Sequence, residues 1–142
     1  MSSEISLTSK LQVTKNAVTV VNAVSTKSQT MAAALEKLHH TVQAITTARE
    51  AVSLGDVDNS YAAGDEHFVV LYNRGETYNV KVEVKTGAST YQQVGLMRPG
   101  EPWGPVRMQK LDVSGYGGLY LTSVTGDADV EVVASEAGDP AA

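Results

Sequence analysis

A chain of 142 residues has room for one ordinary hydrophobic core, or for a small domain with an extension. It contains no cysteine, which excludes a disulfide framework, thiol chemistry and thiolate metal sites, and its net charge of −5 with no basic run leaves a nucleic-acid backbone nothing to bind. At 42% apolar and 19% charged, it can fill a core but must surface itself with Ser, Thr, Asn, Gln and Gly, which a partner can cover without desolvating many charges.

The first ten residues, MSSEISLTSK, lack a positive start followed by an apolar core, so no secretion signal is expected. No stretch approaches the roughly 20 apolar residues that span a bilayer, so no membrane association is expected either. Residues 7–52 are read as helical. The second half carries Met31, Leu35, Leu38, Val42, Ile45 and Val52 at alternating spacings of four and three, with Arg49 in the missing place, which is an apolar stripe on a helix face. Met31 to Leu38 are mostly strong helix formers, Ser28 or Thr30 can cap the start, and Gly55 can stop the helix. In the first half, Leu7, Leu11, Val18 and Val21 keep the same spacing around Thr14, which favours helix. The β-branched run Val18 to Val24 fits a strand better, so helix and strand both remain open for residues 7–28. The stripe changes phase between Ser28 and Met31, which predicts a bend near Ser25 to Ser28. Such a stripe can pack on the chain's own β-domain or on neighbouring subunits.

Charge shifts near residue 55, from net +2 over residues 1–55 to net −7 over the remainder, and supports a boundary there. Residues 56–66 are rich in Asp, Asn, Ser, Ala and Gly and read as a linker. A β-domain over 67–134 follows. His67 to Asn73 is a continuous apolar run, and Thr77 to Lys85 alternates strictly, with Tyr78, Val80, Val82 and Val84 on one side. Thr90 to Met97 is a third strand beyond the Gly87-Ala88 turn. Arg98 to Pro105 holds three prolines and two glycines and is read as loop, with a fourth strand over Val106 to Val113. Leu119 to Thr125 and Ala128 to Ala134 are predicted to form a final hairpin across Gly126-Asp127, and residues 135–142 a flexible tail. Strands without intervening helices pair antiparallel. The expected fold is α+β, mainly β: a helical N-terminal segment (1–55) and an antiparallel β-sandwich or jelly-roll-like domain.

Residues suited to chemistry are sparse. His39 and His40 are adjacent, so on a helix they diverge by about 100° and do not share one ion. His67 has no partner in the sequence, and no HExxH, GxSxG, GxGxxG or GxxxxGK[ST] pattern occurs. The alternating acids Asp127, Asp129 and Glu131, like Asp56 and Asp58, match no calcium loop and read as a solvent face. No catalytic residue, cofactor or metal is therefore expected. Trp103, the one tryptophan, sits in the Pro/Gly-rich loop. It is read as a plug folded over one end of the sandwich, with an exposed anchor for a protein or a sugar ring as the other possibility.

The strand ending in Tyr72-Asn73, the alternating valine strand, the loop of pattern LxxPGExxGPVR between Leu96 and Arg107, and the LYL and DVEVV strands resemble small β-domains in virion proteins of tailed bacteriophages. The resemblance covers about residues 66–134, half of the chain, and among those proteins it is similar to the capsid decoration, or cement, proteins. It implies a non-enzymatic structural protein, made in the host cytoplasm and carried on the capsid exterior of the virion. Such a protein stabilises the head through contacts with major capsid protein subunits and with itself as a dimer or trimer, and takes neither nucleic acid nor membrane as partner. The expected interface is Met31, Leu35, Leu38, Val42, Ile45 and Trp103. The alternative is a glycan- or receptor-binding module of a phage tail or fibre, using Trp103 and nearby tyrosines.

Overall fold

The computed structural model describes residues 4–30, 38–55, 57, 66–109 and 118–136. Among these, every regular element is a β-strand: β1 (Glu4–Lys15), β2 (Val18–Thr30), β3 (Leu38–Ile45), β4 (Glu50–Ala51), β5 (Glu66–Asn73), β6 (Val80–Lys85), β7 (Tyr91–Met97), β8 (Pro102–Gln109), β9 (Leu119–Ser123) and β10 (Ala128–Glu136).

The helical N-terminal segment is thereby corrected. Residues 4–30 form an antiparallel ribbon of β1 and β2, paired from Glu4↔Thr30 to Lys15↔Val18. The β-branched run Val18 to Val24 decides the matter, because its stiff side chains fit a pleated surface better than a helical turn. Asn16 and Ala17 both have positive φ (51° and 63°), so the ribbon closes through a two-residue turn of the kind whose twist matches paired strands. The register shifts between Leu7 and Ser9, opposite the Ser25-Thr26 segment where the bend was expected. The four-and-three stripe also dissolves. In β3, Leu38 and Val42 are four apart and share one face, whereas Ile45, three further on, turns to the other and is fully buried. Of the stripe's remaining members, Met31 and Leu35 lie outside the described residues, as do most of the 56–66 segment, the 110–117 segment and the end of the chain from residue 137.

Strands β3 to β10 make two four-stranded antiparallel sheets: a front sheet in the order β3-β10-β5-β8 and a back sheet in the order β4-β9-β6-β7. The pairs β3–β10, β4–β9, β5–β8 and β6–β7 nest inside one another, so the chain is one long antiparallel hairpin rolled into a sandwich. The roll adds the β10–β5 and β9–β6 pairings. β3 and β4, on the N-terminal side of the charge shift near residue 55, are integral to it. β9 and β10 lie in different sheets, so the hairpin expected across Gly126-Asp127 is instead a crossing from back to front. The β6–β7 turn at Gly87-Ala88 is a true hairpin. β8 starts at Pro102, inside the segment read as loop. It is an edge strand, where a proline's missing N–H leaves no ladder bond broken on the free side.

The core lies between the sheets. Ile45, Leu71, Met97 and Leu121, with Val80, Val82, Val130 and Val132, are fully buried, each worth about 1.5–3 kcal/mol. Val57 is buried with them. Buried Asn73 holds one end of the sandwich. Its Nδ2 donates to the carbonyls of Tyr78 (2.9 Å) and Met97 (3.1 Å), while its Oδ1 accepts the Gly75 N–H (2.9 Å). The side chain thus ties the end of β5 to the turn that follows it and to the end of β7.

Candidate assembly surfaces

The two outer faces of the sandwich differ in chemistry. On the front sheet, cross-strand register sets out four rows: Leu38–Ser135–Phe68–Arg107, His40–Val133–Val70, Val42–Glu131–Tyr72–Pro102 and Ala44–Asp129. An outward face of an antiparallel sheet is ordinarily polar, yet this one carries six large apolar or aromatic side chains. Leu38 is 72% exposed, Val42 48% and Tyr72 40%, with Val70 and Val133 half-buried between them. Phe68 is buried on the same face beneath the Arg107 guanidinium, which lies 4.5 Å from its ring centroid. The acids collect at one end. Glu131 receives Arg74 Nη1 on Oε2 (3.3 Å) and sits 3.1 Å from His40 Nε2 through Oε1, and exposed Asp129 lies beyond it.

The back sheet's outer face carries a paired charge network, with exposed Leu96 and Val94 along its β7 edge. Arg49 grips Glu83 with both Nη2 (2.9 Å) and Nε (3.4 Å), Thr122 Oγ1 donates to the same carboxylate (2.9 Å), and the guanidinium stacks 3.9 Å over the Tyr91 ring. Tyr91 in turn meets Tyr120 edge-on at 5.0 Å. The Arg49 hydrogen bond, helped by that of Thr122, holds the Glu83 carboxyl below its ordinary value of 4.5 against the opposing effect of burial. A carboxyl depressed on folding stabilises the native state above its unfolded pKa and loses that contribution as pH falls through the folded value. Stability of the wild-type protein is therefore expected to drop on acidification below about pH 4.5, and Glu83→Gln to flatten that drop. Equilibrium urea melts of both proteins across pH 3 to 7 measure this, and parallel curves would refute it.

The sheet edges differ as well. β8 is blunted by Pro102 and Pro105, and Gly104 between them has φ +94° and no room for a side chain beside the Val69 carbonyl. β4 is two residues long, and β7 carries a register shift opposite Val82 and Glu83. β3 pairs with β10 without interruption over eight residues and contains no Lys, Arg, Asp, Glu or Pro. Long, regular, uncharged edges of this kind favour pairing or packing with another chain.

Trp103, named as plug or anchor, is half-buried against the core. Its indole covers Gly95 of β7, where a methyl group would overlap Nε1 and Cδ1, so the ring bridges the β8 and β7 edges and closes one side of the sandwich. Gly95→Ala is expected to expel the indole and red-shift its emission towards that of a solvated tryptophan. An unchanged spectrum would show that the ring does not depend on that space.

The ribbon is the third surface. On β1, Leu11 is 66% and Val13 53% exposed, and Val18 across the turn is 64% exposed. Register places the three on one face together with Lys15, while Lys10, Gln12, Thr14 and Thr19 occupy the other, where the two threonine hydroxyls are 2.9 Å apart.

Of the six residues expected at the interface, Leu38 and Val42 are brought together on the exposed front face. Ile45 is core, Trp103 is largely committed to closing the sandwich, and Met31 and Leu35 fall outside the described residues. His39 and His40 diverge as expected, though through strand alternation: His39 lies under Gly55 and His40 faces Glu131. Among the described residues no group of three or more His, Cys, Asp or Glu is arranged to hold a metal, and no helix is long and apolar enough to cross a membrane. An open depression of about 500 Å³ lies at the Asn73 end, with Tyr72, Arg74, Glu76, Pro99 and Gly100 around it. The sequence reading missed Val70, Val133 and the ribbon tip as surface features. The unbroken apolar run HFVVLYN was the available signal, since a half-exposed antiparallel strand should alternate. Comparison with protein-family models, with curated protein sequences and with solved structures returned no match.

Proposed function

We propose that this chain is a structural virion protein, a capsid decoration or cement protein. In this reading its rolled-hairpin sandwich is a jelly roll seated on major capsid protein subunits at the outside of a phage head. One observation carries the proposal. The front sheet turns an apolar face outward through Leu38, Val42 and Tyr72, while the back sheet's outward face is built round the Arg49–Glu83 pair and exposes Leu96 and Val94 only along its β7 edge, so the front is the side better suited to adhesion. The resemblance of residues 66–134 to phage virion β-domains supplies the setting. Binding is adhesive: apolar surface is covered, few charges are desolvated, and repetition over a symmetric shell turns modest contacts into high avidity. The test is to add purified protein to heads of the phage that encodes it, stripped of the protein, and sediment them. Saturable co-sedimentation at a stoichiometry fixed by the shell's symmetry, with a rise in the temperature of head rupture, is expected. Heads that sediment without the protein would end the proposal.

A second reading, glycan binding by a tail or fibre module, is favoured by the depression beside Tyr72, where an exposed aromatic ring adjoins Arg74 and Glu76. It moves the aromatic platform from Trp103 to Tyr72. Saturation-transfer NMR with a panel of bacterial surface oligosaccharides decides it: signal lost in Tyr72→Ala supports this reading, and no signal with any sugar removes it.

A further inference from the structure

We propose that the β1–β2 ribbon of one copy lies on the outer face of the front sheet of a second copy. An isolated two-stranded hairpin is marginally stable in water, because it has no third strand or packed layer to cover its apolar face. Here that face, Leu11, Val13 and Val18, stands open, and so do Val42 and Tyr72 on the front face, with Val70 and Val133 half-buried between them. Within one chain β1 approaches the edge strand β8, yet Leu11, Val13 and Val18 on the ribbon and Val42 and Tyr72 on the sheet remain exposed, and a second copy supplies the missing half of each.

The two surfaces match in pattern. On each, charge stands beyond one end of the apolar patch, and the other end of the sheet face carries Arg107 over Phe68. Lys15 lies at the turn end of the ribbon face, level with Val18, and Asp129 and Glu131 lie at one end of the sheet face. At about 3.4 Å per residue, Leu11 to Lys15 spans about 14 Å, as does Asp129 to Val133. With the turn laid over Ala44 and Asp129, Lys15 reaches the acids, Val13 falls on the Val42–Tyr72 row and Leu11 on the Val70–Val133 row. The bulk charges agree. Residues 4–30 carry three lysines against one glutamate, net +2, while residues 38–136 carry seven basic against thirteen acidic residues, net −6. Reciprocal exchange between two copies makes the same contact twice about a two-fold axis, which is the commonest way for a homo-oligomer to close. The contact needs no shell and is tested without one, but it uses the same Val42 and Tyr72 face proposed to meet capsid subunits, so ribbon and shell compete for that face.

The absence of cysteine makes the test clean. Val13→Cys and Val42→Cys are prepared as separate full-length proteins, mixed and oxidised. Both positions are exposed, so neither substitution removes core packing. The expected product is a disulfide between the two different variants, in excess over either homodimer, with wild type running as a closed oligomer by native mass spectrometry. Lys15→Glu is expected to weaken association roughly tenfold over the two symmetric contacts, and Asp129→Lys to restore it in the double variant. Predominant Val13→Cys or Val42→Cys homodimers would overturn the proposal. So would a monomeric wild type, or a chain carrying both substitutions that closes its disulfide within itself at high dilution.

Discussion

Leu38→Asp combined with Val42→Asp is expected to weaken attachment to phage heads more than 100-fold while leaving the fold intact. The two side chains lie on the outer face of β3, one on each side of His40, and are substantially solvated in the free chain, so their replacement removes little packing. Covering them in a complex returns about 1.5–3 kcal/mol per fully buried aliphatic, and a carboxylate forced against an apolar partner adds a desolvation cost. A combined loss of about 3–5 kcal/mol per copy corresponds to a factor of roughly 150 to 5,000. Co-sedimentation measures the loss, and circular dichroism checks that the thermal midpoint stays within a few degrees of wild type. Unimpaired attachment by this folded variant would remove the front face from the mechanism. Ile45→Asp is the necessary contrast: it lies in the same strand but inside the core, and its failure to attach would report only unfolding.

Asn73→Leu is expected to produce the largest loss of stability among single polar substitutions in the described sandwich. The side chain is fully buried and makes three hydrogen bonds to backbone groups of the β5–β6 turn and β7. Leucine has similar bulk and no polar atom, so the Tyr78 and Met97 carbonyls and the Gly75 N–H lose their partner together. A buried group left unsatisfied costs about 1–3 kcal/mol, and two of these three sit near the surface where water can compensate. A net loss of about 3 kcal/mol lowers the midpoint of a domain this size by roughly 12–24 °C. Differential scanning calorimetry gives the value, and a shift below about 5 °C would mean that the clamp is not needed to hold that end of the sandwich. The same substitution should loosen the depression beside Tyr72, whose floor Asn73 forms.

These two effects lie on different links of the chain from sequence to function. Asn73 acts on packing alone. Leu38 and Val42 act on association alone, because strand alternation has turned them away from the core that Ile45 enters. On a helix all three would share a face, and a substitution pairing Leu38 with Ile45 would confuse unfolding with loss of binding.

Apart from β8, whose first four residues were read as loop, the sequence by itself determined the described strands between residues 66 and 136 to within a few residues, because there the signal is local. Alternation in VKVEVK, an apolar run in HFVVLYN, and Gly-rich turns between them leave few other solutions. Adjacent histidines likewise diverge whichever period applies. Residues 4–45 were not legible in this way. Their apolar positions are sparse, and spacings of four fit one helix face and one strand face equally well. Only the spacing of three separates the two, and it was absorbed into a helical stripe. The turn Asn16-Ala17 between β-branched residues was the overlooked local cue. Tertiary structure alone decided which strand lies beside which. β3 meets β10 from some ninety residues away, and β9 parts from β10 across a turn that looks like a hairpin. Pairing is chosen by which rolled arrangement buries Ile45, Leu71, Leu121 and Val132 together, and no local pattern encodes that choice. The apolar outer face follows from it, since it exists only once β3, β10 and β5 are laid side by side.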